Sequence, residues 1–159
     1  MRKFFMWFGV GAAVLVVGLV AVIVSAALQG SALDGESRAY AAESIDAIVS
    51  TWKPDELLRR GTPQLRATAR PSDVEGLFNA LAIGLGKVVE TDVPVGGSLV
   101  SVTAGEGKVV SANYTVKARF EKGEAIIRIA LLKLEQQWWV HGFNVDSPAA
   151  FTNLSGRPT

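Results

Sequence analysis

The pattern of apolar and polar positions divides the chain into four parts. Residues 4–28 are almost wholly apolar and carry no charge, and the short stretch "QGSALDG" that follows is mostly small or polar. Apolar positions then recur at helical spacing as far as residue 85, and Val-, Ile- and Thr-rich runs come after them. The pattern predicts a transmembrane helix (1–28), a linker (29–35), an α+β domain (36–147) and a C-terminal tail (148–159).

Three helices are predicted in the first half of the domain. The first has one apolar face, formed by Ala41, Ile45, Ile48, Val49 and Trp52. Pro54 opens a second, short helix at "PDELLRR", which Gly61-Thr62-Pro63 ends. The third covers about residues 73–85, with Ser72 and Glu75 as a capping box. Its apolar positions are Val74, Leu77, Phe78, Leu81 and Leu85.

The second half predicts an antiparallel meander of four strands. Its β-prone runs are separated by "PVGG", "AGEGK", "EKGE" and "EQQ", which are turn-forming compositions. A two-residue turn at Lys122-Gly123 places Phe120 opposite Ala125 and gives one coherent apolar face. The predicted fold class is therefore α+β, with three helices packed on a curved four-stranded antiparallel sheet.

The register of the last hairpin decides where the only histidine points. A two-residue loop at Glu135-Gln136 turns Trp138 and Val140 towards the core, because side chains alternate along a strand. A second apolar face then forms from Leu132, Trp139, His141, Phe143 and Val145. We interpret it as a partner or ligand face, to be covered by a second copy, a partner protein, the tail or an apolar ligand. A three-residue loop would instead turn His141 towards the helices.

Residues 4–28 are typical of an uncleaved signal anchor. As a helix, this segment spans roughly 37 Å at ~1.5 Å per residue, enough to cross a hydrocarbon layer of about 30 Å. Residues 24–27 suit a signal-peptide cleavage site, but the apolar core of such a peptide has only about 7–15 residues. Arg2 and Lys3 precede the segment, which predicts a cytoplasmic amino terminus and a periplasmic domain at a bacterial inner membrane.

Small residues recur along one side of this helix. They are Gly11, Gly18, Ala21 and Ser25. Small side chains let two helices approach closely within a membrane, so this stripe predicts a packing face for another transmembrane helix.

The charge balance argues against a nucleic-acid partner. The chain has 16 basic and 15 acidic side chains, and the part after the apolar segment keeps 14 basic against 15 acidic. Such a balance lacks the positive field that binds phosphate backbones. One local cluster consists of Arg59, Arg60, Arg66 and Arg70. It predicts a patch for anionic headgroups or an acidic partner, and the alternative is a solvated helix end.

No set of residues predicts a reaction. The chain has no cysteine, and His141 is its only histidine, which argues against a metal site. Tyr114 lies on the predicted core face, but no acid accompanies it there as an isomerase would require. We therefore assign no catalytic, cofactor-binding or metal-binding residue.

Two stretches carry a resemblance to a known superfamily. They are "ESRAYAAESIDAIVSTWKPDELLRRGTPQL" and "GEAIIRIALLKLEQQWWVHGF", the second leading into a closing strand of the form Trp-x-Val-x-Gly-Phe-x-Val. They resemble small bacterial membrane-anchored or secreted members of the nuclear transport factor 2-like superfamily that have no assigned activity. The resemblance covers about residues 36–147 and implies a cystatin-like cone.

That superfamily contains ketosteroid isomerases and dehydratases as well as membrane-anchored assembly proteins, so fold alone does not choose a function. Our leading hypothesis is a non-catalytic, membrane-anchored module that binds a protein partner or a second copy, as an accessory subunit of a membrane complex. The alternative is a cone that binds an apolar small molecule, with or without isomerase-like chemistry.

Overall fold

The computed structural model describes residues 30–148 and residue 150. The chain divides into two compact units, residues 1–33 and residues 34–159, and only residues 30–33 of the first are described. The predicted transmembrane helix, with its small-residue face, lies outside the described residues. Among the residues described, no helix is both long and apolar enough to cross a membrane.

Four helices precede the sheet in the described part of the chain, and residues 148 and 150 after the sheet are also helical. The four are α1 (residues 30–51, of which 34–51 belong to the second unit), α2 (Pro54–Arg60), α3 (Pro63–Thr68) and α4 (Pro71–Leu85). Each of the last three begins with a proline, whose fixed φ suits the first helical position. The predicted apolar face of α1 is buried along its whole length.

The helices differ from the prediction in three places. Residues 30–35, expected to form a linker, are helical. Thr62 does not simply end α2 but caps a further helix, α3, because its hydroxyl accepts a hydrogen bond from the Leu65 N–H at 3.1 Å. The predicted capping box is wrong, since Arg70 is the N-cap of α4 and Ser72 lies inside the helix.

Five antiparallel strands form one sheet. They are β1 (Val88–Thr91), β2 (Val95–Thr103), β3 (Gly107–Phe120), β4 (Gly123–Leu134) and β5 (Gln137–Asp146). The α+β class is confirmed. The predicted count of four strands is wrong because residues 92–94 break the first strand, so that β1 and β2 lie along the same edge of β3.

The turn between β3 and β4 lies one residue earlier than predicted. Phe120 pairs with Gly123, so the loop is Glu121-Lys122 and every pair across the hairpin moves by two residues. Because a shift of two preserves the alternation of side chains, the apolar face is still the predicted one. Its members from these two strands are Ala112, Tyr114, Val116, Ala118, Phe120, Ala125, Ile127, Ile129 and Leu131, all at most 3 % exposed.

The core lies between this inner face of the sheet and the helices. At one end, the Trp52 ring stacks on Phe120 with centroids 5.9 Å apart and meets Phe78 of α4 edge-on at 5.5 Å. Ala150 is fully buried, and a side chain at Gly84 of α4 would meet its backbone at 2.9 Å. The described end of the tail therefore packs on the helical side of the sheet. Of the predicted α4 face, only Leu77 is exposed.

We expect Gly96→Ala to destabilise the protein by about 3 kcal/mol or more, because strain between backbones cannot relax cheaply. Gly96 has φ +153°, and an added Cβ would lie 1.9 Å from the Asn113 carbonyl oxygen of β3. Denaturant titration of the two proteins measures the change in the free energy of unfolding.

Gly97→Ala is the matched control, since the nearest atom to its Cβ would be Asp34 Oδ1 at 3.6 Å, an ordinary contact. A similar loss of stability in both variants would contradict the close approach of β2 to β3 at Gly96.

Candidate functional site

The aromatic end of β5 contains a β-bulge. Leu131 pairs with Val140, but the next residue of β4, Ala130, pairs with Gly142, which leaves His141 as an extra residue. The two-residue loop Glu135-Gln136 is confirmed, with φ of +50° and +68° at its two residues. The predicted alternation of β5 side chains between the two faces therefore holds from the loop to Val140. After the bulge, each side chain lies on the face opposite to the predicted one.

His141 contacts the helices rather than a second face. Its Nδ1 lies 3.3 Å from the buried Thr62 hydroxyl, and the Thr62 N–H donates to the Val140 carbonyl at 2.8 Å. The loop between α2 and α3 thus pairs with β5 and covers part of this sheet edge. The prediction that a two-residue loop turns His141 away from the helices is wrong, because the bulge reverses its direction.

Phe143 and Val145 also leave the predicted second face. They pair with Ile129 and Ile127, which are core residues at most 1 % exposed, so their side chains share the inner face. The Phe143 ring meets the Phe78 ring edge-on, with centroids 6.3 Å apart. Phe143 therefore packs against α4.

Leu132 and Trp139 remain on the outer face, the side of the sheet turned away from the helices. They pair directly across β4 and β5, and Leu134 follows on the same side with 38 % of its surface exposed. We call Leu132, Leu134 and Trp139 the Trp139 patch. Ala130 and Gly142 lie beside it and line an open hollow of about 400 Å³. A half-buried aromatic side chain next to a hollow is a shape that suits a docking surface.

The arginine cluster does not act as one free positive patch. Arg59 and Arg60 both pair with Glu56, one turn earlier in α2, the first at 3.0 Å. These two guanidinium groups hold the pKa of the Glu56 carboxyl below its usual value, chiefly through the hydrogen bond from Arg60. Arg70 is exposed and has no ion-pair partner in the described part of the chain.

Arg66 has a different contact, which sequence reasoning missed. Its guanidinium carbon lies 5.9 Å from the centre of the Trp139 ring, a cation–π distance. This contact holds the tryptophan from the α3 side. The spacing of residues 66 and 139 in the sequence contains no signal for it, because only the pairing of the α2–α3 loop with β5 brings them together.

A groove separates the arginine pair from the Trp139 patch. Its volume is about 360 Å³, and its lining residues are Tyr40, Arg59, Arg60, Gln137, Trp138 and Trp139. Burial raises the pKa of the Tyr40 hydroxyl, so the phenol stays neutral. The groove combines aromatic walls with cations already paired to Glu56, and it contains no nucleophile beside a base.

Tyr114, the candidate oxyanion donor of an isomerase, takes part in a structural network. Its hydroxyl lies 2.7 Å from the buried Ser37 hydroxyl and donates to the Asp34 carbonyl at 3.2 Å. The Asp34 carboxylate accepts hydrogen bonds from the Ser98 N–H at 2.7 Å and from the Ser98 hydroxyl. These contacts fasten α1 to β2 and β3.

The Ser98 bonds hold the pKa of Asp34 below its ordinary value. A carboxyl with a lowered pKa is ionised at neutral pH and is a weak proton acceptor. Among the described residues, no group of three His, Asp or Glu side chains is placed to bind a metal ion.

Comparison of the chain with protein-family models, curated proteins and solved structures gives no match. The superfamily resemblance stays a prediction.

The bulge predicts that Phe143 and Trp139 have opposite roles. Phe143→Ala removes a ring packed on Phe78 and should lower the free energy of unfolding by about 2–3 kcal/mol, below the range for a fully buried phenylalanine. Trp139→Ala removes a half-buried ring that pairs with Leu132 and lies against Arg66 and should cost about 1 kcal/mol. Chemical denaturation measures both. An equal loss would place Trp139 in the core.

The Asp34–Ser98 contact predicts a dependence on pH. A lowered pKa means that the contact stabilises the fold fully above the ordinary value of 3.8, and that this stabilisation is lost as the pH falls through the folded-state pKa. Ser98→Ala should therefore lower the denaturation midpoint at pH 7, and the difference from the unmodified protein should shrink below about pH 3.8. Ser101→Ala, on the same strand, is the control. A difference that stays constant into acid would show that Asp34 is not the partner.

Proposed function

We propose that this protein is a single-pass, membrane-anchored module of a bacterial inner membrane, whose periplasmic domain binds another protein through the Trp139 patch and performs no catalysis. The observation that carries the proposal is the pair Leu132–Trp139 on the face of the sheet away from the helices. The described end of the tail, Ala150, packs against Gly84 of α4, on the helical side of the sheet.

The surroundings of the Trp139 patch support a protein partner. The outer-face positions of the same sheet further from the β4–β5 loop carry Lys117, Arg119, Arg128, Glu124 and Asp146, a mixture of both signs. Arg128 and Asp146 lie 3.8 Å apart across β4 and β5. An apolar centre beside a hydrated, mixed-charge rim is the usual anatomy of a protein interface, and Trp and Arg are enriched at its strongest positions.

The packing of the inner face argues against the alternative of a small-molecule cone. Ile127, Ile129 and Leu131 are each at most 1 % exposed, and Trp138 is 9 % exposed, so the inner face offers a ligand almost no accessible surface. The Tyr114 hydroxyl is engaged by α1. A polar group waiting for a substrate would instead face an open cavity.

Site-specific photocrosslinking in native membranes tests the proposal. A photoreactive amino acid replaces Leu132 in the full-length protein, and a matched protein carries it at Leu77, which is exposed on α4 with 56 % of its surface accessible. We expect a discrete adduct from position 132 and none from position 77. Trp139→Ala should reduce the yield of the adduct at least about tenfold, since loss of a central aromatic contact costs roughly 2 kcal/mol or more of binding free energy.

The mass of the adduct identifies the partner. Twice the mass of the chain means that the partner is a second copy, and any other discrete mass means a different protein. Equal labelling from positions 132 and 77, or no adduct from either, would refute the proposal. Resistance of the protein to alkaline extraction from membranes tests the anchor separately.

A further inference from the structure

The outer edge of β2 presents unpaired backbone groups. The Ser98 N–H donates to the Asp34 carboxylate at 2.7 Å, so it points away from β3. Backbone groups alternate in direction along an antiparallel strand, and β2 pairs with β3 without a register shift. The N–H and C=O groups of Val100 and Val102 therefore point the same way as the Ser98 N–H, and none of the described residues bonds to them.

The side chains along this edge are apolar and exposed. Val100 and Val102 occupy inner-face positions but are 43 % and 77 % exposed, and Leu99 on the outer face is 64 % exposed. We call residues 99–109 the arm. The pairing of β4 with β3 begins at Val110, so the arm is a hairpin of two strands. Such a hairpin is marginally stable in water and gains stability from a further strand.

The edge lacks the features that usually keep other strands away. Edge strands are commonly protected by charged side chains, prolines or bulges. The part of β2 from Leu99 to Thr103 has none of these. The charged residues of the arm, Glu106 in the turn and Lys108 on β3, have opposite signs. The arm therefore carries no net charge, and its β2 edge is open to pairing.

A twofold axis matches this edge to itself. The open part is bounded at one end by the Asp34 carboxylate and at the other by the turn at residues 104–106. Ser101 is the middle residue between these bounds. Antiparallel pairing with a second copy about an axis at Ser101 places Val100 of each copy opposite Val102 of the other. The two residues of each pair then exchange both backbone hydrogen bonds, so every unpaired group of the edge is satisfied.

The neighbouring symmetric registers fit less well. An axis at Val100 would pair Val102 with Ser98, whose N–H is already bonded to Asp34. An axis at Val102 would instead pair Val100 with Ala104, where the strand has ended in a turn. The register about Ser101 is therefore the one that the open edge selects.

The side chains that meet across this axis are compatible. On the inner face, Val100 of one copy lies beside Val102 of the other, an apolar cross-strand pair that leaves water. Lys108 lies opposite Val102 on β3. It is three strand spacings from its counterpart, roughly 14 Å, a distance at which salt at about 0.1 M screens most of the repulsion. A second copy thus brings no like charges directly opposite each other.

We propose that the β2 edges of two copies pair in antiparallel fashion about a twofold axis at Ser101, which joins their two sheets into one. The occupant is a second copy because the edge complements itself in hydrogen bonds, side chains and charge, as an isologous interface requires. The axis is perpendicular to the sheet, so both Trp139 patches face the same side and offer a partner two docking points. The pairing uses other residues and does not depend on the proposed function.

Disulfide crosslinking tests the register, since the chain has no cysteine of its own. At the axis, the two Ser101 residues form a non-hydrogen-bonded pair with Cα atoms about 4.5 Å apart, within reach of a disulfide. Full-length Ser101→Cys protein, purified in a mild detergent, is oxidised with copper phenanthroline and run on a non-reducing gel. We expect a strong band at twice the mass of the chain.

Leu99→Cys is the matched control on the same face of β2. The axis places residue 99 of the two copies roughly 13 Å or more apart, too far for a disulfide, so we expect a dimer band at least about tenfold weaker. Co-expression of Leu99→Cys and Thr103→Cys chains should restore the band, because residue 99 of one copy lies opposite residue 103 of the other.

Three results would overturn the inference. Equal bands from positions 99 and 101 would mean that the chains meet by random collision. A band from position 101 without one from the co-expressed chains would mean a contact with a different register. No band from either would mean that the β2 edges do not meet. Photocrosslinking from Leu132 reports on the Trp139 patch separately, so failure of the proposed function is distinguishable from each of these results.

Discussion

The sheet is longer than the helix that lies along its edge, and much of the molecule follows from this mismatch. β3 has 14 residues and spans about 46 Å at ~3.3 Å per residue. The part of α1 in the second unit, residues 34–51, spans roughly 27 Å at ~1.5 Å per residue. The aromatic core gathers at the Phe120 end, where Trp52 and Phe78 meet. At the Gly107 end the hairpin continues without such a cover. Its apolar residues are exposed because the described helices do not reach them.

The single extra residue in β5 determines which surface is available. Without the bulge at His141, an unbroken alternation would place Phe143 and Val145 beside Trp139 on the outer face. With it, those two residues turn to the inner face and the outer apolar surface at this end shrinks to the Trp139 patch. The bulge lies where the α2–α3 loop pairs with Val140, so the edge of β5 is partly covered. The edge of β2 beyond Ser98 has no comparable cover from the described residues.

The sequence predicted the features that depend on spacing and missed those that depend on long-range pairing. The loop Glu135-Gln136 was one of the two loop lengths that the sequence left open, whereas periodicity correctly predicted the apolar face of α1 and the buried face of β3 and β4. The last was correct even though the turn was displaced, since a two-residue shift leaves the alternation unchanged. The bulge was missed because the run Trp-Val-His-Gly-Phe alternates equally well without it. The stacking of Arg66 on Trp139 depends on that tertiary arrangement and leaves no trace in the sequence.

Three of the four buried serine and threonine hydroxyl groups in the described part of the chain join elements of the fold. Ser37 joins α1 to Tyr114, Thr62 caps α3 and contacts His141, and Ser147 donates to the Glu124 carbonyl at the start of β4. A buried hydroxyl that lacks such a bond costs about 1–3 kcal/mol, so these contacts are needed for stability. A catalytic hydroxyl must instead exchange its partner for a substrate. Because these three are engaged by the fold itself, they join elements of the domain, whereas the half-exposed side chains of the Trp139 patch lie at the surface.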